Sequence, residues 1–129
     1  MNLAHFSIKT SGLTLTGLKN QGGSGRPIIA LHGWLDNAAS FLPLCDHLAS
    51  ERPFYAVEMP GHGLSDHRAR SSTYHLVDNV VDIAAFIAVV LDAHYIETGV
   101  KETQVTLLGH SLGGIVCSFL AAASPDLID

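Results

Sequence analysis

Three short apolar runs, each leading into glycine, constrain this chain more than any other feature. They are "IIALHG" (28–33), "FYAVEMP" (54–60, with Gly61 next) and "VTLLGHS" (105–111). Runs that are apolar without alternation fit strands covered on both faces, as in a parallel sheet. Stretches at helical spacing lie between and after them. From about Ser40 to Ser50, Phe41, Leu44, Cys45 and Leu48 recur on one side, and Pro43 falls in the first turn, where its missing N–H does no harm. A long helix is predicted from about Tyr74 to Tyr95. Its first half is polar at His75, Asp78, Asn79 and Asp82, and its second half is apolar nearly all round, which predicts deep packing. "LGGIVCSFLAAAS" predicts a last helix, stopped by Pro125. Ahead of all these, residues 5–9 ("HFSIK") and 13–18 ("LTLTGL") alternate around "TSG" and predict an antiparallel hairpin with one wet face.

This order implies an α/β fold: a mostly parallel sheet with an antiparallel N-terminal hairpin, right-handed crossovers and helices on both faces. At 129 residues, 47% hydrophobic and 15% charged, the chain suits a single domain over residues 1–129 with a substantial core. Open sheets of this kind bind ligands at the carboxyl ends of their strands. Three glycine-bearing loops, "HGWLDN", "PGHGLSD" and "GHSLGG", emerge there and are expected to converge on one edge.

Several function classes drop out. Seven basic against twelve acidic residues give a net charge of −5, and with no Lys/Arg-rich run nucleic acid is not an expected partner. The longest apolar stretch, Ile83–Leu91, is too short to span a bilayer, so no membrane association is expected. The N-terminus lacks the basic start and long apolar run of a signal peptide, which points to the cytoplasm. Cys45 and Cys117 lie far apart in apolar surroundings and fit buried free thiols of a reducing compartment, with a disulfide as the alternative. Eight histidines invite a metal, but no H-E-x-x-H, cysteine pair or H-x-H cluster occurs, so neither metal nor cofactor is expected.

Gly109-His110-Ser111-Leu112-Gly113 matches G-x-S-x-G where a buried strand turns directly into a helix. A serine on such a turn adopts a strained backbone, and the residues two before and two after it must be small for strand and helix to approach. Its hydroxyl then stands at a helix N-terminus, where the Leu112 N–H and the helix dipole favour a developing oxyanion. The plainer alternative is a glycine-rich turn that only packs tightly; the strand-to-helix context favours the nucleophile. A phosphate loop fails for want of G-K-S/T or of a G-x-G-x-x-G opening a helix. The Trp34 amide, just after His32-Gly33, is the candidate second oxyanion donor, and Trp34 is otherwise a core aromatic. His32 fits a residue bracing its loop better than a base. In "PGHGLSD", Ser65 and Asp66 are turn-capping residues or ligands, and Glu58 fits a satisfied carboxylate at a strand end.

Taken together, "LHGWLDNAASF", "MPGHGLSDH" and "LLGHSLGG" resemble the α/β-hydrolase superfamily, and the first motif is similar to its serine hydrolase-like branch. The resemblance runs from about Ile28 to Ala123, and the leading hairpin matches the family's first two strands. It implies Ser111 as nucleophile, Trp34 and Leu112 as oxyanion amides, and a small-molecule acyl substrate such as a carboxylic ester or thioester. Dehalogenase and epoxide-hydrolase relatives carry Asp at the nucleophile position, so Ser111 argues against those reactions. Glu58 stands where the family often has Asp.

The family's order is nucleophile, acid, histidine. After Ser111 this chain has Asp126 and Asp129 and no histidine. The resemblance therefore implies a truncated α/β-hydrolase core lacking the last three strands, inert alone for want of a base. His110 adjoins the serine, but neighbouring side chains on such a turn point apart. The other reading is a non-catalytic binding or assembly module that kept the pocket. Strand 105–108 would become an exposed edge, through which self-association or pairing with a C-terminal half is expected.

Overall fold

The structure, a computed structural model, describes residues 2–10, 12–48 and 51–129. Strands β1 (Ala4–Lys9) and β2 (Thr14–Lys19) form the expected hairpin, with Ala4 opposite Lys19 and Lys9 opposite Thr14. β2 passes antiparallel onto β4 (Phe54–Val57), which runs parallel to β3 (Ile28–Leu31), and β3 runs parallel to β5 (Thr106–Gly109). The order across the sheet is β1-β2-β4-β3-β5. β3 is thus the innermost parallel strand, between the two whose following loops matter for the site.

Every residue of β3 and β4 is buried. Their side chains alternate between two separate clusters, as a period of two demands. Ile29, Leu31, Tyr55 and Val57 face Ile83, Phe86, Ile87 and Val90 of α2 (Leu76–Thr98) and Val116 and Leu120 of α3 (Leu112–Ala123). Ile28, Ala30, Phe54 and Ala56 face Ala38, Phe41 and Cys45 on the other side. Each fully buried aliphatic or aromatic side chain contributes about 1.5–3 kcal/mol, so the first cluster dominates the stability of the sheet. Helices do cover both faces, but unequally: the long ones share one face.

The segment expected as a helix over Ser40–Ser50 is instead a 3-10 turn, Ala38–Phe41, followed by a single turn of α-helix, α1 (Leu42–Cys45). The Asn37 side chain caps its start by accepting the Ala39 N–H. Its expected end, Ser50, lies outside the described residues. α2 begins two residues later than expected, with the Asp78 carboxylate accepting the His75 N–H, and ends at Gly99 in a left-handed conformation (φ 72). The deep packing expected of its second half is not found. Ala88, Tyr95 and Ile96 are exposed, because only the Ile83–Ile87–Val90–His94 face meets the sheet.

β5 also departs from expectation. It is half-buried to exposed along Thr106–Gly109 rather than covered on both faces. The expected bare edge, however, is covered at its first residue. Val105 is fully buried and bridges Ile128, donating to Leu127 O and accepting from the Asp129 N–H. Arg26 pins this tail by ion pairs to Glu102 and Asp129, and Gln104 donates to Ile128 O at 3.1 Å. Among the described residues no helix is long and apolar enough to cross a membrane.

Candidate functional site

The three loops expected to meet do so above β3. Ser111 follows β5 after one residue, His110, and stands at the N-cap position of α3 with φ 53 and ψ −119, a backbone region that L-residues avoid. The glycines around it account for this. A Cβ on Gly109 would lie 2.5 Å from Gly114 Cα, and one on Gly113 would lie 2.0 Å from Leu31 O. Helix α3 therefore starts against the end of β3 with no room for side chains, and the turn at Ser111 has to be sharp. Ser111 is exposed. Among the described residues its hydroxyl has no hydrogen-bond partner, an imidazole included.

Gly33 brings the first loop against this turn: a Cβ there would sit 3.3 Å from Ser111 Cβ and 3.4 Å from His110 Nδ1. Trp34 follows, with its ring 72% exposed rather than in the core. Among the described residues neither the Trp34 nor the Leu112 N–H donates to a protein acceptor. Two amides without a protein acceptor thus lie on the loop and turn that Gly33 and Ser111 bring together. His110 is exposed beside the turn.

His32 is fully buried and joins the first loop to the second. Its Nε2 accepts the Met59 N–H at 3.1 Å, which leaves Nδ1 protonated to donate to Gly33 O at 2.6 Å. Burial pushes its pKa down from the ordinary 6.5; the Gly33 carbonyl opposes this and nearby His62 adds to it. The side chain is a neutral brace. His62, which the motif contains but sequence reasoning did not single out, accepts the Leu35 N–H at 3.0 Å and contacts Pro60 O at 3.1 Å. Leu35 has φ 60, a strained conformation for a leucine that nothing in the sequence announces.

The second loop is stapled to the hairpin. Glu58 accepts the Thr16 hydroxyl at 2.6 Å and the Leu64 N–H at 2.9 Å, and a Cβ on Gly63 would collide with its carboxyl group. Ser65 accepts the Thr16 N–H and donates to Glu58 O, while Asp66 accepts the Thr14 N–H. All three side chains are engaged within the protein. Asp36 is held below the usual carboxylate range by the Ser40 hydroxyl and the Asn37 N–H. Among the described residues no cluster of histidine, cysteine and carboxylate could hold a metal ion. A groove of about 230 Å³ borders Trp34 and runs along Leu35, Pro60, His62, His67 and Tyr74.

Residues 26–129 match the family described as "alpha/beta hydrolase fold". The chain is 33% identical over 105 residues to a "Serine hydrolase-like protein" of Danio rerio, covering 81% of this chain and 29% of that protein. Among solved structures, it resembles a hypothetical protein of Pseudomonas aeruginosa PAO1 with a TM-score of 0.81 and 36% identity, over 97% of this chain and 40% of the other. An E-2-(acetamidomethylene)succinate hydrolase superposes with the same TM-score of 0.81 at 30% identity, over 98% of this chain and 42% of its own. The chain thus spans well under half the length of these relatives.

Proposed function

The chain belongs to the alpha/beta hydrolase fold family, and from that premise we propose that it carries the nucleophile half of a serine hydrolase acting on carboxylic esters or related acyl compounds. Ser111 is the nucleophile; the Trp34 and Leu112 amides receive the oxyanion. The observation that carries this reading is the unpartnered Ser111 hydroxyl on a backbone of φ 53, beside two amides with no protein acceptor. In the proposed step the hydroxyl oxygen bonds to the acyl carbon, and the carbonyl oxygen gains the charge that the amides meet. A serine hydroxyl is a weak nucleophile until a base takes its proton. No imidazole holds it among the described residues, and in comparable enzymes losing the histidine costs about a millionfold in turnover. These 129 residues by themselves are accordingly close to inert.

A fluorophosphonate probe with and without added imidazole tests this. Slow labelling that imidazole accelerates and Ser111→Ala abolishes is the expected result. No labelling in either condition, with small acyl ligands still bound, would replace the hydrolase reading by that of a non-catalytic binding module.

A further inference from the structure

His32 and His62 hold each other's loops. His32, after β3, takes the Met59 N–H of the second loop on Nε2 and gives its Nδ1–H to Gly33 O in its own loop. His62 does the reverse: its Nε2 takes the Leu35 N–H of the first loop, and its Nδ1 lies 3.1 Å from Pro60 O in its own. The rings stand 5.0 Å apart.

The two peptides fixed in this way are consecutive. Gly33 C=O belongs to the same rigid plane as the Trp34 N–H, so a ring holding that oxygen aims the amide the opposite way. The Leu35 N–H belongs to the next plane, on the other side of Trp34 Cα. Fixing both planes fixes φ and ψ of Trp34. Leu35 itself stands at φ 60, a conformation that survives only where its surroundings impose it.

We propose that His62 is a positioning residue that holds the Trp34–Leu35 peptide and so, together with His32, fixes the backbone at Trp34, and that protonation of His62 releases its half of this hold. The proposal rests on the reading of Trp34 as an oxyanion donor for its consequence, although the geometry stands without it. Nε2 serves as an acceptor only while neutral; a proton there turns it into a donor facing the Leu35 N–H. Titratable groups face His62 from both loops and beyond. Asp36 and Glu58 line the same groove as His62. One oxygen of each is already held, Asp36 Oδ1 by the Ser40 hydroxyl and the Asn37 N–H, and Glu58 Oε2 by the Thr16 hydroxyl and the Leu64 N–H. The His32 ring lies 5.0 Å away, and burial favours its neutral form. His67 and Tyr74 line a groove with Leu35 and His62, and the Tyr74 hydroxyl accepts the Arg68 N–H.

Trp34 is the one tryptophan of the chain, so its emission reports this loop alone. In wild-type protein, long-range ¹H–¹⁵N spectra are expected to show His62 as the Nδ1–H form at neutral pH. On acidification the Leu35 amide shift and the Trp34 emission should move together with the His62 ring. In His62→Gln, with far-UV circular dichroism unchanged, that shared transition should be lost. Finding the Nε2–H form in the wild type, or the same Trp34 transition persisting in His62→Gln, would overturn the proposal. If the variant fails to fold, the wild-type ring and amide titrations decide alone. Fluorophosphonate labelling of Ser111 separates the two readings: a shared His62–Leu35–Trp34 transition without labelling leaves the switch standing and removes the hydrolase.

Discussion

At Gly113 the distance between strand and helix is set by the absence of one methyl group. Its Cβ would fall 2.0 Å from Leu31 O and 2.7 Å from His32 O, both backbone atoms that cannot swing aside. Gly113→Ala should therefore cost about 3 kcal/mol or more, read as a lowered urea midpoint. Gly114→Ala is the contrast. Its nearest neighbour would be at 3.5 Å, so the better helix former should be neutral or stabilising by up to about 1 kcal/mol. His32 makes a prediction in pH. Burial lowers its folded pKa below the ordinary 6.5, so between the two values the unfolded chain binds the extra proton. Its contribution is fully present above about pH 6.5 and is lost as pH falls below that. Ring titration by NMR should place His32 below 6.5, and the urea midpoint should fall on acidification in step.

Among the elements, α2 best separates backbone effects from packing effects. It stops at Gly99, whose φ of 72 is left-handed and around which a Cβ would meet nothing within 4 Å. A substitution there feels the backbone alone. Gly99→Ala should cost about 1–2 kcal/mol, and Gly99→Asn distinctly less, since asparagine tolerates this conformation. Calorimetric unfolding of the pair checks it. The docked face of the same helix behaves differently. Phe86 is fully buried against the rings of Phe6 and Tyr55, at centroid distances of 5.7 and 6.0 Å. Tertiary packing, more than propensity, holds α2 in place.

At the scale of the whole molecule, β5 is the element whose surroundings are incomplete. The C-terminal tail covers Val105, but among the described residues no strand lies outside Thr106–Gly109. Ile115 and Phe119 of α3 are about half exposed in addition. Backbone edges and apolar patches of this kind recruit partners. We propose that this edge is where a second copy of the chain, or a C-terminal half like the remaining length of its relatives, attaches. Sedimentation of the chain alone should show association that grows with micromolar concentration. One monomeric species across the range would overturn this.

The sequence by itself determined the sheet and the turn, because those depend on period and on space. Unbroken apolar runs at 28–31 and 54–57 became strands buried on both faces, and the hairpin alternation set the β1–β2 register. Gly109 and Gly113 around Ser111 announced a bend whose backbone could only be strained. What the sequence left open depended on neighbours brought from far along the chain. Phe41, Leu44, Cys45 and Leu48 have helical spacing, yet among the described residues a 3-10 turn and a single α-helical turn form there, packed on Ile28, Ala30, Phe54 and Ala56 with Leu18 and Leu108 partly buried against the same cluster. The greasy second half of α2 is buried on one side because a single sheet face receives it. Tertiary structure alone decided that His62 would reach Leu35, and that the tail would bridge Val105. Pairings of residues 27 and 23 positions apart, Leu35 with His62 and Val105 with Ile128, leave no periodic trace in composition or spacing; they exist only once the sheet has brought the strand ends together.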